Sequence, residues 1–226
     1  MKVLRKGDKG EEVRRLQGLL HTAQDGVFGA LTEEALKAWQ NENGLFPDGI
    51  CGPKTWAKLL PEGGLTLKRS RRRIDEIIVH CTATPEGQAK TVDDIRREHK
   101  AQGWSDIGYH YLVTLDGVVH NGRDVDVSGA HAEGHNSHSI GVCYVGGVEN
   151  DPRKPYRELR AKDTRTAKQR AALLSLLKDL RRLYPSAKII GHRDVSPDKN
   201  HNGTIEPWEW IKSCPSFDAK NEYRGI

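Results

Sequence analysis

The sequence lacks several features that would place a protein in a membrane or in a disulfide-bonded class. No apolar run approaches the roughly 18 residues that a membrane helix needs, so no membrane insertion is expected. The first residues, MKVLRKGDKGEEV, have no apolar segment of the kind found in secretory signals, and we expect synthesis in the cytosol without a signal peptide. The four cysteines are far apart and form no CxxC pair, which favours buried thiols or metal ligands over disulfides.

The remaining composition is that of a folded protein with one or two domains. The chain has 226 residues, of which 36% are apolar, enough for a core of ordinary size. The formal net charge of +5 favours a polyanionic partner. Composition alone leaves nucleic acid and an anionic cell-wall polymer equally open as that partner.

Residues 1–60 contain an internal repeat with the pattern DG(V/I)xGxxT. It occurs at residues 25–32 and again at residues 48–55. In each copy Asp-Gly predicts a tight turn, and the threonine is expected to cap the helix that follows. A helix is also predicted over EEVRRLQGLL, whose apolar residues recur on one face. We therefore expect three short helices in a small bundle, which could be a generic bundle or a binding module.

The repeat belongs to a longer set of motifs. The strings GxxGxxVxxLQ, DGxFGxxT, FQxxxGL and DGxxGxxT are matched by residues 7–17, 25–32, 39–45 and 48–55, with Trp39 in place of the phenylalanine. This segment resembles the peptidoglycan-binding domain of many cell-wall hydrolases. The resemblance implies bacterial peptidoglycan as a partner.

Residues 61–73 are predicted to form a basic linker. Pro-Glu-Gly-Gly breaks the helical pattern, and Lys-Arg-Ser-Arg-Arg-Arg follows at residues 68–73. Such a run could contact nucleic acid, but we favour a solvated junction that also attracts an anionic wall, so no nucleic acid partner is expected.

Residues 74–226 have the alternating pattern of an α/β domain with one mixed sheet flanked by helices. Buried strands are predicted at residues 76–80, 139–147 and 187–192, and a hairpin at residues 110–123. A helix capped by Thr91 and Asp94 and a long helix opening at Thr166 with Gln169 are also predicted.

Three residues in this region could form a metal site. His80 and His192 each end a predicted strand, and Cys214 lies in a loop after the second, so all three can meet at one edge of the sheet. Two imidazoles and a thiolate suit zinc, and an open fourth position is typical of a catalytic site. Taken singly, each histidine is more often an ordinary surface or core residue than a ligand.

Five sequence motifs, in a fixed order along the chain, surround or include the three candidate ligands. They are VHCTAT (79–84), QGWSDIGYHYLV (102–113), GAHAEGHNSHSIGVCYVGG (129–147), GHRDVSP (191–197) and CPSFD (214–218). Together they resemble the type 2 N-acetylmuramoyl-L-alanine amidases, the family of phage lysozymes and peptidoglycan-recognition proteins. The resemblance implies zinc held by His80, His192 and Cys214, and cleavage of the bond between N-acetylmuramic acid and L-alanine.

The same resemblance places a tyrosine and a lysine beside the metal, at Tyr109 and Lys212. Lys212 could stabilise a developing oxyanion, and the Tyr109 hydroxyl could orient water or relay a proton. The alternatives are an aromatic side chain packed on the sheet and a surface lysine.

Other residues of the motifs are expected near the substrate. His131 and Asn136 would line the sugar and peptide cleft, and Thr82, next to the first ligand, would support the site. His131 could instead be a metal ligand or a buried structural histidine. Cys81 and Cys143 are expected to point away from their functional neighbours and to pack as thiols.

A stretch between His192 and Cys214 is longer than in the phage pattern and matches the EF-hand spacing. Its oxygen ligands for calcium would be Asp198, Asn200, Asn202, the Thr204 carbonyl and Glu209. No EF-hand helix precedes it, and the alternative is a glycine turn followed by a capped helical turn.

The expected function is cell-wall lysis by a monomeric modular endolysin of a phage or prophage, made in the cytoplasm and acting on the wall after release. A non-catalytic peptidoglycan recognition protein is the main alternative. Relatives that only bind lack the cysteine, which is present here as Cys214. A phage lysozyme that regulates RNA polymerase and a bacterial recycling amidase remain further alternatives, and the wall-binding module argues against both.

Overall fold

The computed structural model describes residues 3–59, 65 and 67–226, which fall into two compact units. The first is Met1–Gly64 and the second is Leu65–Ile226. Residues 60–64 and 66, where we expected the end of the first domain and the first part of the linker, lie outside the described residues.

The N-terminal unit contains the three predicted helices. They are α1 (Glu11–Leu19), α2 (Ala30–Glu42) and α3 (Pro53–Leu59). Its core consists of apolar side chains from all three helices and the turns between them, including Leu16, Phe28, Leu36 and Trp56.

Two buried glutamines organise the repeat in this unit. The side-chain amide of Gln17 donates to Asp25, to the Val27 carbonyl and to the Thr32 hydroxyl, while its carbonyl oxygen accepts from Gly26. Gln40 makes the same four contacts one repeat later, with Asp48, Ile50, Thr55 and Gly49.

The threonines of the repeat are therefore not helix caps, and that expectation was wrong. Gly29 occupies the N-cap of α2, and Thr32 and Thr55 lie within the helices that follow their turns. Their hydroxyls accept from the buried glutamines and donate back to turn carbonyls at Val27 and Ile50. The turn and the helix are joined through the glutamine.

The second unit contains a mixed α/β fold. Its strands are β1 (Glu76–Cys81), β2 (Thr84–Pro85), β3 (Tyr111–Val113), β4 (Val119–Asn121), β5 (Ser139–Tyr144), β6 (Gly147–Val148) and β7 (Lys188–Gly191). Its helices are α4 (Val92–Ala101), α5 (Ala167–Leu183) and α6 (Ala219–Glu222). The predicted capping boxes at Thr91 and Thr166 are both present.

Five strands form one sheet in the order β4-β3-β5-β1-β7. The β3 and β4 strands are antiparallel, and the other neighbours are parallel, so the sheet is mixed as predicted. The central position of β5 is also confirmed. Alternate residues of β1 face opposite sides: Ile77 and Val79 pack with the leucines of α5, while Ile78 packs on the other side with Ala132 and Ile190. Glu76 and His80 share the second side.

The basic segment before β1 packs onto the second unit through Ser70 and Arg72, while its other basic residues are exposed. Ser70 is buried, its amide donates to the Tyr184 hydroxyl and its own hydroxyl donates to the Val125 carbonyl. Arg72 donates to main-chain carbonyls of residues 125, 136, 137 and 139. The compact unit begins at Leu65, earlier than the predicted start at residue 74.

Candidate functional site

Three predicted ligand residues lie together at the carboxyl end of the parallel strands. One ligand atom each from His80, His192 and Cys214 lies within 4.8 Å of the other two. His80 is near the end of β1, and His192 opens a short 3-10 helix directly after β7. The Cys214 carbonyl accepts from the amide of Arg193, which ties the cysteine loop to the His192 turn. Two imidazole nitrogens and one thiol at this spacing fit a tetrahedral zinc ion with one open position.

The His80 ring is held by a buried chain of hydrogen bonds. Its Nε2 lies 3.0 Å from Nδ1 of His131, whose Nε2 in turn lies 3.4 Å from the Ser139 hydroxyl. That hydroxyl donates to the His135 carbonyl, which can only accept. The donors and acceptors of the other two hydrogen bonds follow: the Ser139 hydroxyl accepts from His131 Nε2, and His131 Nδ1 accepts from His80 Nε2. The His80 Nδ1 lone pair is left facing the Cys214 sulfur, 3.7 Å away.

Two glycines make the space for the His131 ring. A Cβ atom on Gly129 would lie 2.3 Å from the ring, and one on Gly141 would lie 2.5 Å from it. These glycines come from the GAHAEGHNSHSIGV string, and the close approach explains why the string needs them. His131 is 8% exposed and contacts His80, which favours the buried structural histidine among the alternatives, and its place in the substrate cleft stays a prediction.

Cys214 sits in a loop fastened to the sheet. The Tyr144 hydroxyl donates to the Pro215 carbonyl, and the Ser216 hydroxyl donates to the Gly147 carbonyl. The Cys214 sulfur accepts from the amide of Cys81 at 3.2 Å, a contact that the sequence did not indicate. Burial raises the pKa of the Cys214 thiol. A metal ion would replace this thiol proton.

The electrostatic environment favours neutral imidazoles. Burial lowers the pKa of His80 well below its usual value, and His131, His192 and Lys212 lower it further. Burial also lowers the pKa of His192 to about 4, with Lys212 as the next cause. Neutral imidazole is the form that binds metal. Lys212 itself is exposed, so its charge lies at the solvent side of the trio.

Tyr109 lies against the trio. Its ring centroid is 5.2 Å from that of His80. Burial raises the pKa of the Tyr109 hydroxyl well above its usual value, and the thiols of Cys143 and Cys214 add to the effect. The phenol is therefore a proton donor at neutral pH. Cys143 is fully buried and packs with Tyr109 as a thiol, as expected, on the side of the sheet that carries His80.

Asn136 and Thr82 support loops. The Asn136 side-chain oxygen accepts from the amides of His131 and Ala132, which fixes the segment carrying His131. The Thr82 hydroxyl contacts that of Thr84 at 2.7 Å and accepts from the amide of Gly146. Both side chains thus hold backbone near the site.

Half-buried Arg72 and buried Arg123 have structural roles that the sequence did not predict. Arg72 lies in a run of basic residues, which gave no sign that its guanidinium binds four carbonyls. Arg123 donates to the carbonyls of Asp106, Ile107 and Ser128, and so joins the segment before Tyr109 to the segment before His131. Neither arginine lies in a periodic pattern that would reveal such contacts.

The predicted calcium loop is closed by its own main chain. Glu209 is fully buried, and its two carboxylate oxygens accept from the amides of Lys199, Asn200 and Glu206. Asp198 accepts from the amides of Asn202 and Gly203, while the side-chain oxygens of Asn200 and Asn202 accept from Asn202 and Thr204. A glycine turn followed by a short 3-10 helix, Pro207–Glu209, accounts for the motif, and calcium gains no support.

No helix among the described residues is long and apolar enough to cross a membrane. All four cysteines are described and are free thiols.

Comparison with known proteins identifies both units. Residues 70–207 match the N-acetylmuramoyl-L-alanine amidase family, and residues 9–59 match a peptidoglycan binding domain family. The endolysin of Enterobacteria phage K11 is 39% identical over 152 residues, which cover 66% of this chain and 85% of that protein. The endolysin of Escherichia phage T7 is also 39% identical, over 67% of this chain and 87% of that protein.

Among solved structures, the N-acetylmuramoyl-L-alanine amidase LysC from Clostridium intestinale aligns with 70% of this chain and 90% of its own, at 23% identity and a TM-score of 0.47. The family match spans more than half of the chain and includes β1, which carries His80, and β7 with the His192 turn that follows it. The chain therefore belongs to the N-acetylmuramoyl-L-alanine amidase family and is an enzyme of that class, preceded by a peptidoglycan-binding domain.

Proposed function

We propose that this amidase is zinc-dependent and lyses bacterial cell walls by cutting the amide bond between N-acetylmuramic acid and L-alanine. The observation that carries the proposal is the convergence of His80, His192 and Cys214, whose ligand atoms lie within 4.8 Å of one another. These three residues would hold the metal. When bound, zinc supplies a Lewis acid that polarises the amide carbonyl and allows water to attack near neutral pH.

His131 positions the first ligand. Since its Nδ1 accepts from His80 Nε2 at 3.0 Å, it keeps His80 in the tautomer whose Nδ1 faces Cys214. Partners of this kind commonly fix ring orientation and raise the basicity of a ligand. Asn136 supports this arrangement by binding the His131 amide.

Tyr109 and Lys212 would act on the substrate. The Tyr109 hydroxyl would accept a hydrogen bond from the attacking water and donate its own proton towards the leaving amine of L-alanine, so that the proton lost by the water replaces the one given to the amine. Lys212 places a positive charge where the carbonyl oxygen becomes negative, and such a charge is worth most in the transition state. That its charge lowers the pKa of both His80 and His192 supports its closeness to the reacting groups.

The N-terminal unit would keep the enzyme on its polymeric substrate. The match of residues 9–59 to a peptidoglycan binding domain supports this role, and the net charge of +5 favours an anionic wall. Both phage relatives are named endolysins, which supports lysis of a bacterial host as the biological role. We propose that the chain acts as a monomer.

A recognition protein that binds peptidoglycan without cutting it is the alternative. Cys214 argues against it, because a binding protein has no need for a thiol 3.7 Å from an imidazole nitrogen in a buried site.

Digestion of purified sacculi followed by mass spectrometry tests the proposal. We expect free stem peptides that begin with L-alanine, together with intact glycan strands. New reducing ends would show a glycosidase instead. Cys214→Ser should abolish turnover while the protein still sediments with sacculi, and chelation should have the same effect until zinc is restored. Turnover that survives both treatments would refute the zinc site.

A further inference from the structure

A second group of metal-binding side chains lies on the same side of the sheet as the active site. Glu76, His135 and His138 each place one ligand atom within 4.8 Å of the other two. The Glu76 Oε2 atom lies 2.7 Å from His135 Nδ1 and 3.7 Å from His138 Nε2. Ligand atoms around a tetrahedral zinc ion are about 3.3 Å apart, given metal-ligand distances near 2.0 Å. Small movements of these three side chains would bring their ligand atoms to the distances that a bound ion requires.

The three side chains are partly exposed but held by rigid backbone. Their exposed fractions are 16% for Glu76, 30% for His135 and 35% for His138, so an ion can enter from solvent. Glu76 belongs to β1, which pairs with strands on both sides. The His138 carbonyl accepts from the amide of Asp75, which fastens the histidine segment to the start of the same strand.

The imidazoles are also oriented for binding. The Nδ1 of His138 lies 3.2 Å from the Ser137 hydroxyl, which leaves Nε2 directed at Glu76. In metal sites the second ring nitrogen of a ligating histidine commonly has such a partner. Arg72 donates to the carbonyls of Asn136 and Ser137, so the backbone between the two histidines is fixed from the other side.

We propose that Glu76, His135 and His138 form a second binding site for a divalent transition-metal ion such as zinc. Two imidazoles and one carboxylate suit zinc, cobalt and nickel, and water completes the coordination. The side chains of these three residues have no role in the proposed reaction.

The site would act as a clamp on the segment that supports the active site. The His135 carbonyl ends the hydrogen-bond chain that begins at His80 and passes through His131 and Ser139. Holding the His135 side chain on Glu76 therefore restrains the same segment that orients His80. The expected result is greater stability and slower hydrogen exchange over residues 131–139 when the second ion is bound.

Cobalt titration of the metal-free full-length protein distinguishes the two sites, because only a site with a thiolate gives sulfur-to-cobalt charge transfer. We expect the wild type to bind two ions, one with this band and one without it. Glu76→Gln and His138→Gln should each bind one ion and keep the band. Cys214→Ser should bind one ion and lack the band. His21→Asn, which removes an exposed histidine from the N-terminal unit, should still bind two.

A second readout does not depend on the active site. In a Cys214→Ser background, zinc should raise the melting temperature and slow exchange over residues 131–139. Adding His138→Gln should remove both effects. His138 is partly exposed, so this change leaves the core intact.

If the wild type binds only one cobalt ion, and that ion gives the charge-transfer band, the second site is refuted and the proposed function is unaffected. A second ion that persists in both Glu76→Gln and His138→Gln would overturn it too. If the wild type binds an ion without the charge-transfer band, and Glu76→Gln or His138→Gln removes that ion, the result counts against the catalytic zinc centre and supports the second site.

Discussion

His131 Nδ1 lies 3.0 Å from His80 Nε2, and the two rings meet nearly edge to face, with centroids 4.9 Å apart and an interplanar angle of 78°. The pair links the candidate metal centre to the segment between β4 and β5. His131 is thus a positioning residue, since it acts on the reaction through His80.

Replacing His131 with alanine should weaken zinc binding by about 10- to 100-fold, because His80 loses the partner that fixes its tautomer. Competition with a fluorescent chelator measures the affinity. His120→Ala is a matched control, since that half-buried imidazole contacts Thr114 and not the trio. Equal affinities of wild type and His131→Ala would remove the orienting role.

Gly141→Ala should have a related effect without deleting any polar group. Its new Cβ would meet the His131 ring at 2.5 Å, so the ring must move away from His80. We expect lower zinc affinity and lower kcat, and a larger loss than for Gly225→Ala, where a Cβ would meet nothing within 4 Å. Assays of sacculus digestion at saturating zinc give kcat, and an active Gly141→Ala enzyme with normal zinc affinity would contradict the packing argument.

Lys212→Met should lower kcat by about 10²- to 10³-fold, the usual cost of losing one group that stabilises an oxyanion. Zinc affinity should change little, because Lys212 is not a ligand. In the metal-free protein the pKa of His192 should rise, since the Lys212 charge is one of the causes that lower it. NMR titration of the imidazole measures this shift. Lys220→Met, an exposed lysine on α6, should leave both quantities unchanged.

Acid should destabilise the metal-free second unit through its buried histidines. Burial lowers the pKa of His110 from 6.5 to about 4. As pH falls, His110 therefore becomes protonated below pH 6.5 in the unfolded chain but only near pH 4 in the folded chain. The free energy of unfolding falls between these two pH values as pH falls. The loss for one such group is roughly 3 kcal/mol.

Pulse proteolysis in urea at pH 7 and pH 5 measures the trend for each unit separately. His110→Gln should be less stable at pH 7 yet show a shallower loss on acidification. His201→Asn, which changes an exposed histidine, should keep the wild-type slope. An unchanged slope in His110→Gln would show that other groups set the acid sensitivity.

Gln40→Leu should destabilise the N-terminal unit by about 1 to 3 kcal/mol, because it removes the acceptor of the Gly49 amide and the buried donor to the Thr55 hydroxyl. Gln17→Leu should cost a similar amount. Neither change should alter the kcat of the second unit on soluble muropeptide. Urea denaturation measures the loss, and a stability within 0.5 kcal/mol of wild type, the range of ordinary surface changes, would count against the role of the glutamines.

The elements of the second unit could be predicted because their signals are local. Apolar runs marked the strands, and Thr91 and Thr166 marked the helix starts. Placing His80 and His192 at strand ends also followed from the sequence, since parallel strands bring their carboxyl ends to one edge. The spacing of residues alone could not assign the trio, and the ordered motifs were needed.

The supporting residues could not be predicted, because their partners are distant in the chain. Arg72 binds carbonyls more than 50 positions away, and its sequence context is that of a solvated basic linker. The contact of His131 with His80 spans 51 positions. The glutamine contacts are nearer, but a glutamine in an amphipathic helix gives no sign that it is buried.

The glutamine-centred repeat has a consequence for how the N-terminal unit could change in evolution. Gln17 and Gln40 bind their turns at the same sequence offsets, 8 residues to the aspartate and 15 to the threonine. Each repeat thus contains its own polar framework and needs only apolar contact from its neighbour. Unequal recombination that adds or removes one whole repeat would leave every such framework complete, so modules of this kind can change length without redesign of their interiors.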